Sequence, residues 1–227
     1  MDTESVRIRF DDHDVSGLLT QPENAKACFV FAHGAGAGMT HRSMSTIAEG
    51  LAMRGVATLR YQFPYMERGS KRTDPPPLCH ATVRAAVNLA AERMPHIPLF
   101  AGGRSFGGRM TSQAQASMPL QNVRGLIFLG FPLHPAGKPS IDRAKHLSDV
   151  KIPMLFVQGT RDELAHLDLL QPIVKSLGAV ATLHLLKEAD HSFHVLARSG
   201  RTDGEVNDDA CDAIAQWCGK YSDAPER

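Results

Sequence analysis

Pro98-Leu-Phe-Ala-Gly-Gly-Arg-Ser-Phe-Gly107 decides how the rest of this chain reads. Pro98–Gly102 has the length and apolarity of a short buried strand, and Ser105–Ser117 follows it with a helical pattern. Between them stands Gly103-Arg104-Ser105-Phe106-Gly107, a G-x-S-x-G. A strand that turns sharply into a helix at such a motif is a nucleophile elbow, with the serine oxygen held out above the sheet. The glycines permit the turn, because a Cβ there would obstruct it. Ser105 also falls at a helix N-terminus, where the helix dipole favours developing negative charge. The alternative is a glycine-rich turn with an incidental serine, and glycines at both required spacings weigh against it.

Outward from the elbow the chain alternates strands with helices. Val6, Ile8 and Phe10 alternate with Arg7 and Arg9, as in a half-exposed strand at a sheet edge, and Val15–Thr20 can pair with it as a hairpin. Ala27–Ala32, Val56–Tyr61, Val123–Gly130, Pro153–Gly159 and Ala181–Leu186 read as further strands. Met44, Ile47, Ala48 and Leu51 recur at helical spacing, with Thr40 placed to cap. Val83, Ala86, Val87 and Ala90 form a second stripe, Leu167–Leu177 a third, and Val206, Ala210, Ile214 and Trp217 mark a C-terminal helix. This rhythm predicts a mostly parallel twisted sheet with helices on both faces. Nothing in it resembles a linker, so residues 1–227 are expected to form a single α/β domain.

The bulk composition excludes several function classes. With 25 Lys and Arg against 24 Asp and Glu, the net charge is +1, and no strong field is available to grip nucleic acid or an anionic membrane. Met1-Asp-Thr-Glu-Ser5 lacks the basic and apolar regions of a signal peptide, and the longest apolar runs are far too short to span a bilayer. A cytoplasmic setting is expected. Cys28, Cys79, Cys211 and Cys218 fall in no C-x-x-C pattern and read as buried thiols rather than disulfides.

A serine hydroxyl needs a base to become a nucleophile. With a nucleophile elbow, the acid and then the base follow the serine along the chain, each just past a later strand. Asp162 lies immediately after Pro153–Gly159, with Glu163 as its local rival. His191 lies after Ala181–Leu186, with His194 as its rival. Asp190 adjoins the base in sequence and is better placed to order its loop than to serve as the acid. The oxyanion then needs two donors. One is expected from the backbone N–H of Phe106, and the other from the loop His33-Gly-Ala-Gly-Ala-Gly38, at Ala35 with Gly36 close behind.

Two competing readings of these motifs are weaker. Gly34-x-Gly36-x-Gly38 follows a strand as a dinucleotide fingerprint does, but it lacks the G-x-G-x-x-G spacing, and no acid ends the next strand. His191-x-x-His194 could begin a metal site, but it is a pair without further ligands. No cofactor and no metal are expected.

Taken together, His33–Gly38, Gly102-Gly-Arg-Ser-Phe-Gly-Gly-Arg109, Phe131-Pro-Leu-His-Pro-Ala-Gly-Lys-Pro139, Gln158-Gly-Thr-Arg-Asp162 and Asp190-His-Ser-Phe193 resemble the small α/β-hydrolases of the testis-expressed / NSL-complex-subunit-3 type. Bacterial members of that type include dienelactone-hydrolase-like proteins. The resemblance covers nearly the whole chain and implies the α/β-hydrolase fold over residues 1–227. Dienelactone hydrolases proper use a cysteine nucleophile, so Ser105 departs from them and lactone specificity does not carry over. One branch of the family serves as a subunit of a chromatin complex.

The resulting expectation is a serine hydrolase acting on a carboxylic ester or related acyl bond of a small molecule, through Ser105, His191 and Asp162. The alternative is an interaction module that kept the fold without the chemistry. A minimal or absent cap is also expected, because only about 20 residues separate Gly130 from Pro153 and three prolines stiffen their first part. Phe63–Leu78, rich in Pro and charge, is expected to lie in solvent. The site should then be shallow, with His134 and Lys138 on its rim.

Overall fold

In the computed structural model, which describes residues 2–222, eight strands form one sheet. They are β1 (Asp2–Phe10), β2 (His13–Gln21), β3 (Ala27–Ala32), β4 (Val56–Tyr61), β5 (Leu99–Arg104), β6 (Val123–Leu129), β7 (Met154–Gly159) and β8 (Ala181–Leu186). Their order across the sheet is β1-β2-β4-β3-β5-β6-β7-β8. The hairpin β1–β2 forms the expected edge and joins β4 antiparallel, and every later pairing is parallel. Among the described residues, six α-helices are interleaved: α1 (Arg42–Ala52), α2 (Pro64–Glu67), α3 (Pro76–Arg93), α4 (Phe106–Ser117), α5 (Leu167–Leu177) and α6 (Asp203–Ser222). This is the expected α/β-hydrolase arrangement.

The continuous apolar runs of the central strands follow from burial on both faces. Along β3, Ala27, Phe29 and Phe31 join the layer formed by Met44, Ile47 and Leu51 of α1 with Val206 and Ile214 of α6. The alternate residues Cys28, Val30 and Ala32 join Val83 and Ala86 of α3, Met110 of α4 and Leu170 of α5. The same two-residue alternation divides β6 and β7 between the layers, Leu126 and Phe128 from Ile127 and Leu129, and Met154 and Phe156 from Leu155 and Val157.

Two helix starts differ from expectation. His41, not Thr40, caps α1, its Nδ1 accepting from the Ser43 N–H at 3.3 Å. Thr40 lies one position before that cap. Pro76 and Pro77 open α3 rather than extending the preceding loop, since proline is tolerated where helix amides have no intrahelical partner. The connection between β6 and β7 holds one short 3-10 helix, Asp142–Asp149, and no inserted cap.

The chain leaves β3 in one direction to build β4 and returns past β3 to build β5. The strand order therefore reverses between β3 and β5, and their carboxyl ends form the crevice where such sheets bind ligands. The close fit there is set by glycine. A Cβ on Gly102, whose φ is +154°, would lie 1.9 Å from the Ile127 carbonyl oxygen of β6. Gly102→Ala must therefore part β5 from β6. We expect a loss of about 4 kcal/mol or more, read as a collapse of the denaturant midpoint or as failure to express in soluble form.

Candidate active site

Ser105 follows β5 directly and stands at the N-terminus of α4 with φ 49° and ψ −114°. Non-glycine residues rarely hold a positive φ, and the surroundings must over-determine it. Here the Ser105 N–H donates to the Leu129 carbonyl at 3.0 Å, and its own carbonyl accepts from the Arg109 N–H at 3.1 Å. The flanking motif glycines let the elbow press against the end of β3. A Cβ on Gly103 would lie 2.5 Å from the Ala32 carbonyl oxygen, and one on Gly107 would lie 2.6 Å from that of His33.

The structure brings Ser105, His191 and Asp162 together. His191 Nε2 lies 2.8 Å from Ser105 Oγ, and its Nδ1 lies 2.7 Å from Asp162 Oδ2. The Asp162 side chain is fully buried, whereas Glu163 is exposed. Asp162 Oδ1 accepts from the Leu164 N–H at 2.7 Å, and Oδ2 also accepts from Gln158 Nε2. Gln158, fully buried at the end of β7, uses its Oε1 to accept from the Phe131 N–H at 2.9 Å. That bond fixes the amide so that its NH₂ faces the carboxylate. His194 turns outward to pair with Asp203 at 2.9 Å. Asp190 accepts from the N–H groups of Ser192 and His194 at 2.7 and 3.0 Å, and so orders the loop.

Arg104 supports that loop from below. Its guanidinium lies 4.7 Å from the Phe193 ring centroid and donates to the His191 carbonyl at 3.4 Å. Burial pulls its pKa down to about 10, against the opposing charges of Asp190 and Asp162, so it remains a cation at neutral pH. In the sequence it is only the variable residue of G-x-S-x-G, and nothing there marks it as buried.

The loop after β3 sits beside the serine, close enough that a Cβ on Gly34 would lie 4.0 Å from Ser105 Cβ. Two side chains hold it. The Phe63 N–H donates to His33 Nε2 at 3.0 Å, which leaves Nδ1 to carry the ring proton and donate to the Gly34 carbonyl at 2.7 Å. Tyr65 Oη donates to the Ala35 carbonyl at 2.9 Å. In a trans peptide the N–H points opposite to the C=O. With the Gly34 and Ala35 carbonyls drawn toward His33 and Tyr65, the N–H groups of Ala35 and Gly36 point away from those anchors. Phe106 N–H, in the first turn of α4, is among the helix amides that have no intrahelical partner.

His33 gives this loop a pH limit. Burial lowers its pKa from 6.5 to about 4, and protonation at Nε2 would set a donor against the Phe63 N–H. The unfolded chain takes up that proton first, so the stabilisation is complete above pH 6.5 and is lost as pH falls toward 4. We expect about 3 kcal/mol to disappear across that window. His33→Asn, which cannot titrate there, should lose less of its urea midpoint between neutral and acid pH. An unchanged pH slope in the variant contradicts the assignment.

The segment from Phe63 differs from expectation. Arg68, Lys71 and Arg72 are exposed as anticipated, but Phe63 and Tyr65 are fully buried. Their rings lie 5.6 and 6.2 Å from that of Phe106, building an aromatic wall behind the elbow. His134 is not a rim residue either. It is fully buried, and its Nε2 accepts from the His166 N–H at 3.3 Å, while its own N–H donates to the Leu164 carbonyl at 3.0 Å. It therefore ties the loop after β6 to the loop carrying Asp162. Lys138 is exposed, in a turn closed by its N–H donating to the Pro135 carbonyl at 3.2 Å.

All four cysteines are buried and free. Among the described residues, no helix is long and apolar enough to cross a membrane, and no group of three His, Cys, Asp or Glu is placed to hold a metal ion.

Comparison with known proteins agrees with this fold. A family model described as "Alpha/beta hydrolase domain" matches residues 25–219. Among solved structures, a dienelactone hydrolase from Anabaena variabilis is similar with TM-score 0.74 and 22% identity, over 97% of this chain and 96% of that one. A serine hydrolase without a lid from Xanthomonas campestris matches with TM-score 0.74 and 18% identity, over 95% of each chain. The esterase domain of a Rhodothermus marinus protein matches with TM-score 0.74 and 15% identity, over 98% of this chain and 100% of that one. At these identities the likeness is one of fold.

Proposed function

We propose, from the premise that this chain belongs to the alpha/beta hydrolase domain family, that it is a serine hydrolase cleaving a carboxylic ester or related acyl bond of a small molecule. The observation that carries the reading is the unbroken hydrogen-bonded row from Asp162 through His191 to Ser105. Ser105 Oγ attacks the acyl carbonyl while His191 Nε2 takes its proton. Asp162 holds the proton of His191 on Nδ1 and stabilises the imidazolium that forms. The amides of Phe106 and Ala35, with Gly36 beside them, receive the oxyanion. His191 returns its proton to the leaving alcohol. Water, activated by the same imidazole, then releases the acid from the serine. Every step uses groups of this chain and water alone.

The alternative, a non-catalytic interaction module, has no need of the three side chains in contact. The motifs shared with the testis-expressed / NSL-complex-subunit-3 type support placing the chain in that group, as a single domain spanning residues 1–227. Four reduced, buried thiols accord with a cytoplasmic setting.

The β6–β7 connection carries no inserted cap to enclose a long acyl chain. An open site forgoes about 0.8 kcal/mol for each CH₂ left in water. With 4-nitrophenyl esters from acetyl to octanoyl, kcat/KM should therefore stay flat or fall. A rise of roughly threefold or more per CH₂ would reveal a deep apolar tunnel and overturn the open-site reading.

A further inference from the structure

The face of α4 that begins at Ser105 continues through Arg109 to Ser112, at helical spacings of four and three residues. Long side chains on a helix lean toward its N-terminus, and the Arg109 guanidinium carbon accordingly lies 5.8 Å from the Phe106 ring centroid, beside the elbow. At the other end of the row, Ser112 Oγ lies 2.8 Å from His146 Nε2, which ties α4 to the 3-10 helix Asp142–Asp149. Residues three apart eclipse in such a helix, so Arg143 stands one turn from His146 on the same side. Burial first, and then the like charge of Arg143, pulls the Arg109 pKa below its ordinary value.

The Ser112–His146 bond thus brings Arg109, one helical turn from the nucleophile, and Arg143 to the same side of α4, and neither has an acidic partner among the described residues. Asp142, the carboxylate next to Arg143, is taken by Lys145 at 2.6 Å and Ser140 at 2.8 Å. Arg109 Nε is buried and makes no hydrogen bond. The neighbouring Cys79 is no counter-ion, because burial pushes its thiol up to about 12. Like charges held together without a counter-ion are destabilising, and a bound anion relieves them.

We propose that Arg109 and Arg143 form a subsite for an anionic group, carboxylate or phosphate, carried by the substrate a few bonds from the scissile carbonyl. The substrate part of this statement rests on Ser105 as the nucleophile, but anion binding stands without it. The test is calorimetry on Ser105→Ala protein, which cannot turn the ligand over. Monomethyl glutarate, a monoanion, should bind at least about tenfold more tightly than neutral dimethyl glutarate, as expected for charge-assisted hydrogen bonds. Adding Arg143→Gln should remove most of that preference, and adding Arg109→Gln as well should abolish it. Arg143 is partly exposed outside the core, so its loss tests binding without threatening the fold. Competition by inorganic phosphate, compared with acetate, separates a phosphate-bearing from a carboxylate-bearing substrate. Equal affinities for the two glutarates, or a preference that survives in the double arginine variant, would overturn the subsite. Anion binding in a protein that cleaves no ester would refute only the hydrolase reading. Ester cleavage with no anion preference would refute only the subsite.

Discussion

Ser105→Ala is expected to lower ester turnover by about five to six orders of magnitude while the protein stays folded. The size of the effect follows from geometry. His191 Nε2 has Ser105 Oγ 2.8 Å away as the hydroxyl to deprotonate, and alanine leaves it none. What survives is the oxyanion loop and the first turn of α4, which can still polarise a bound carbonyl. Stability should change little, since the partly exposed serine gives up one hydrogen bond and no packing, a change within about 1 kcal/mol. Turnover of 4-nitrophenyl acetate and a melting curve on the same sample check both halves. A tenfold loss, or less, would mean that some other group performs the attack.

Asp162→Asn should lower kcat by about 10⁴-fold and modestly destabilise the fold. Asp162 accepts three hydrogen bonds, from His191 Nδ1, Gln158 Nε2 and the Leu164 N–H. An asparagine offers one oxygen to these donors, so its NH₂ must face at least one of them. If it faces the imidazole, Nδ1 becomes the acceptor and the proton moves to Nε2, where it blocks removal of the serine proton. The donor set against a donor in a buried site costs about 1 to 3 kcal/mol. Glu163→Gln, one residue along and exposed, should be nearly silent. Parallel kcat and denaturant-midpoint measurements on the two variants decide the matter, and a reversal of their effects would move the acid to Glu163.

How much of this could be read from the chain depends on what each residue type reports. The centre of the sheet is legible because burial on both faces demands near-continuous apolar runs, as in Ala27–Ala32, and its edge because Val6, Ile8 and Phe10 alternate with charged residues. The elbow is legible because the fit of Gly103 and Gly107 against Ala32 and His33 leaves no room for a Cβ. The residues that hold the site are not legible in the same way. Tyr65 stands in a Pro-rich, charge-rich stretch, and only contact with the Ala35 carbonyl separates it from a solvent-exposed tyrosine. The sequence does hold one signal: Phe63 and Tyr65 place two aromatic rings in a segment otherwise dominated by charge. A histidine among prolines reads as a rim residue, but His134 is fully buried. Its burial depends on the His166 loop, which is distant in sequence. Arg104, Gln158 and the Arg109–Arg143 pair likewise acquire meaning only when separate loops meet at the carboxyl ends of the strands.

The central claim, that Ser105 is an activated nucleophile, is tested most directly by labelling with a fluorophosphonate probe. The reagent should modify the folded protein once, at Ser105, as located by peptide mass spectrometry, and Ser105→Ala should abolish the adduct. Folded protein that resists labelling throughout the neutral and mildly alkaline range, or an adduct on a different serine, would contradict the account and favour a non-catalytic module.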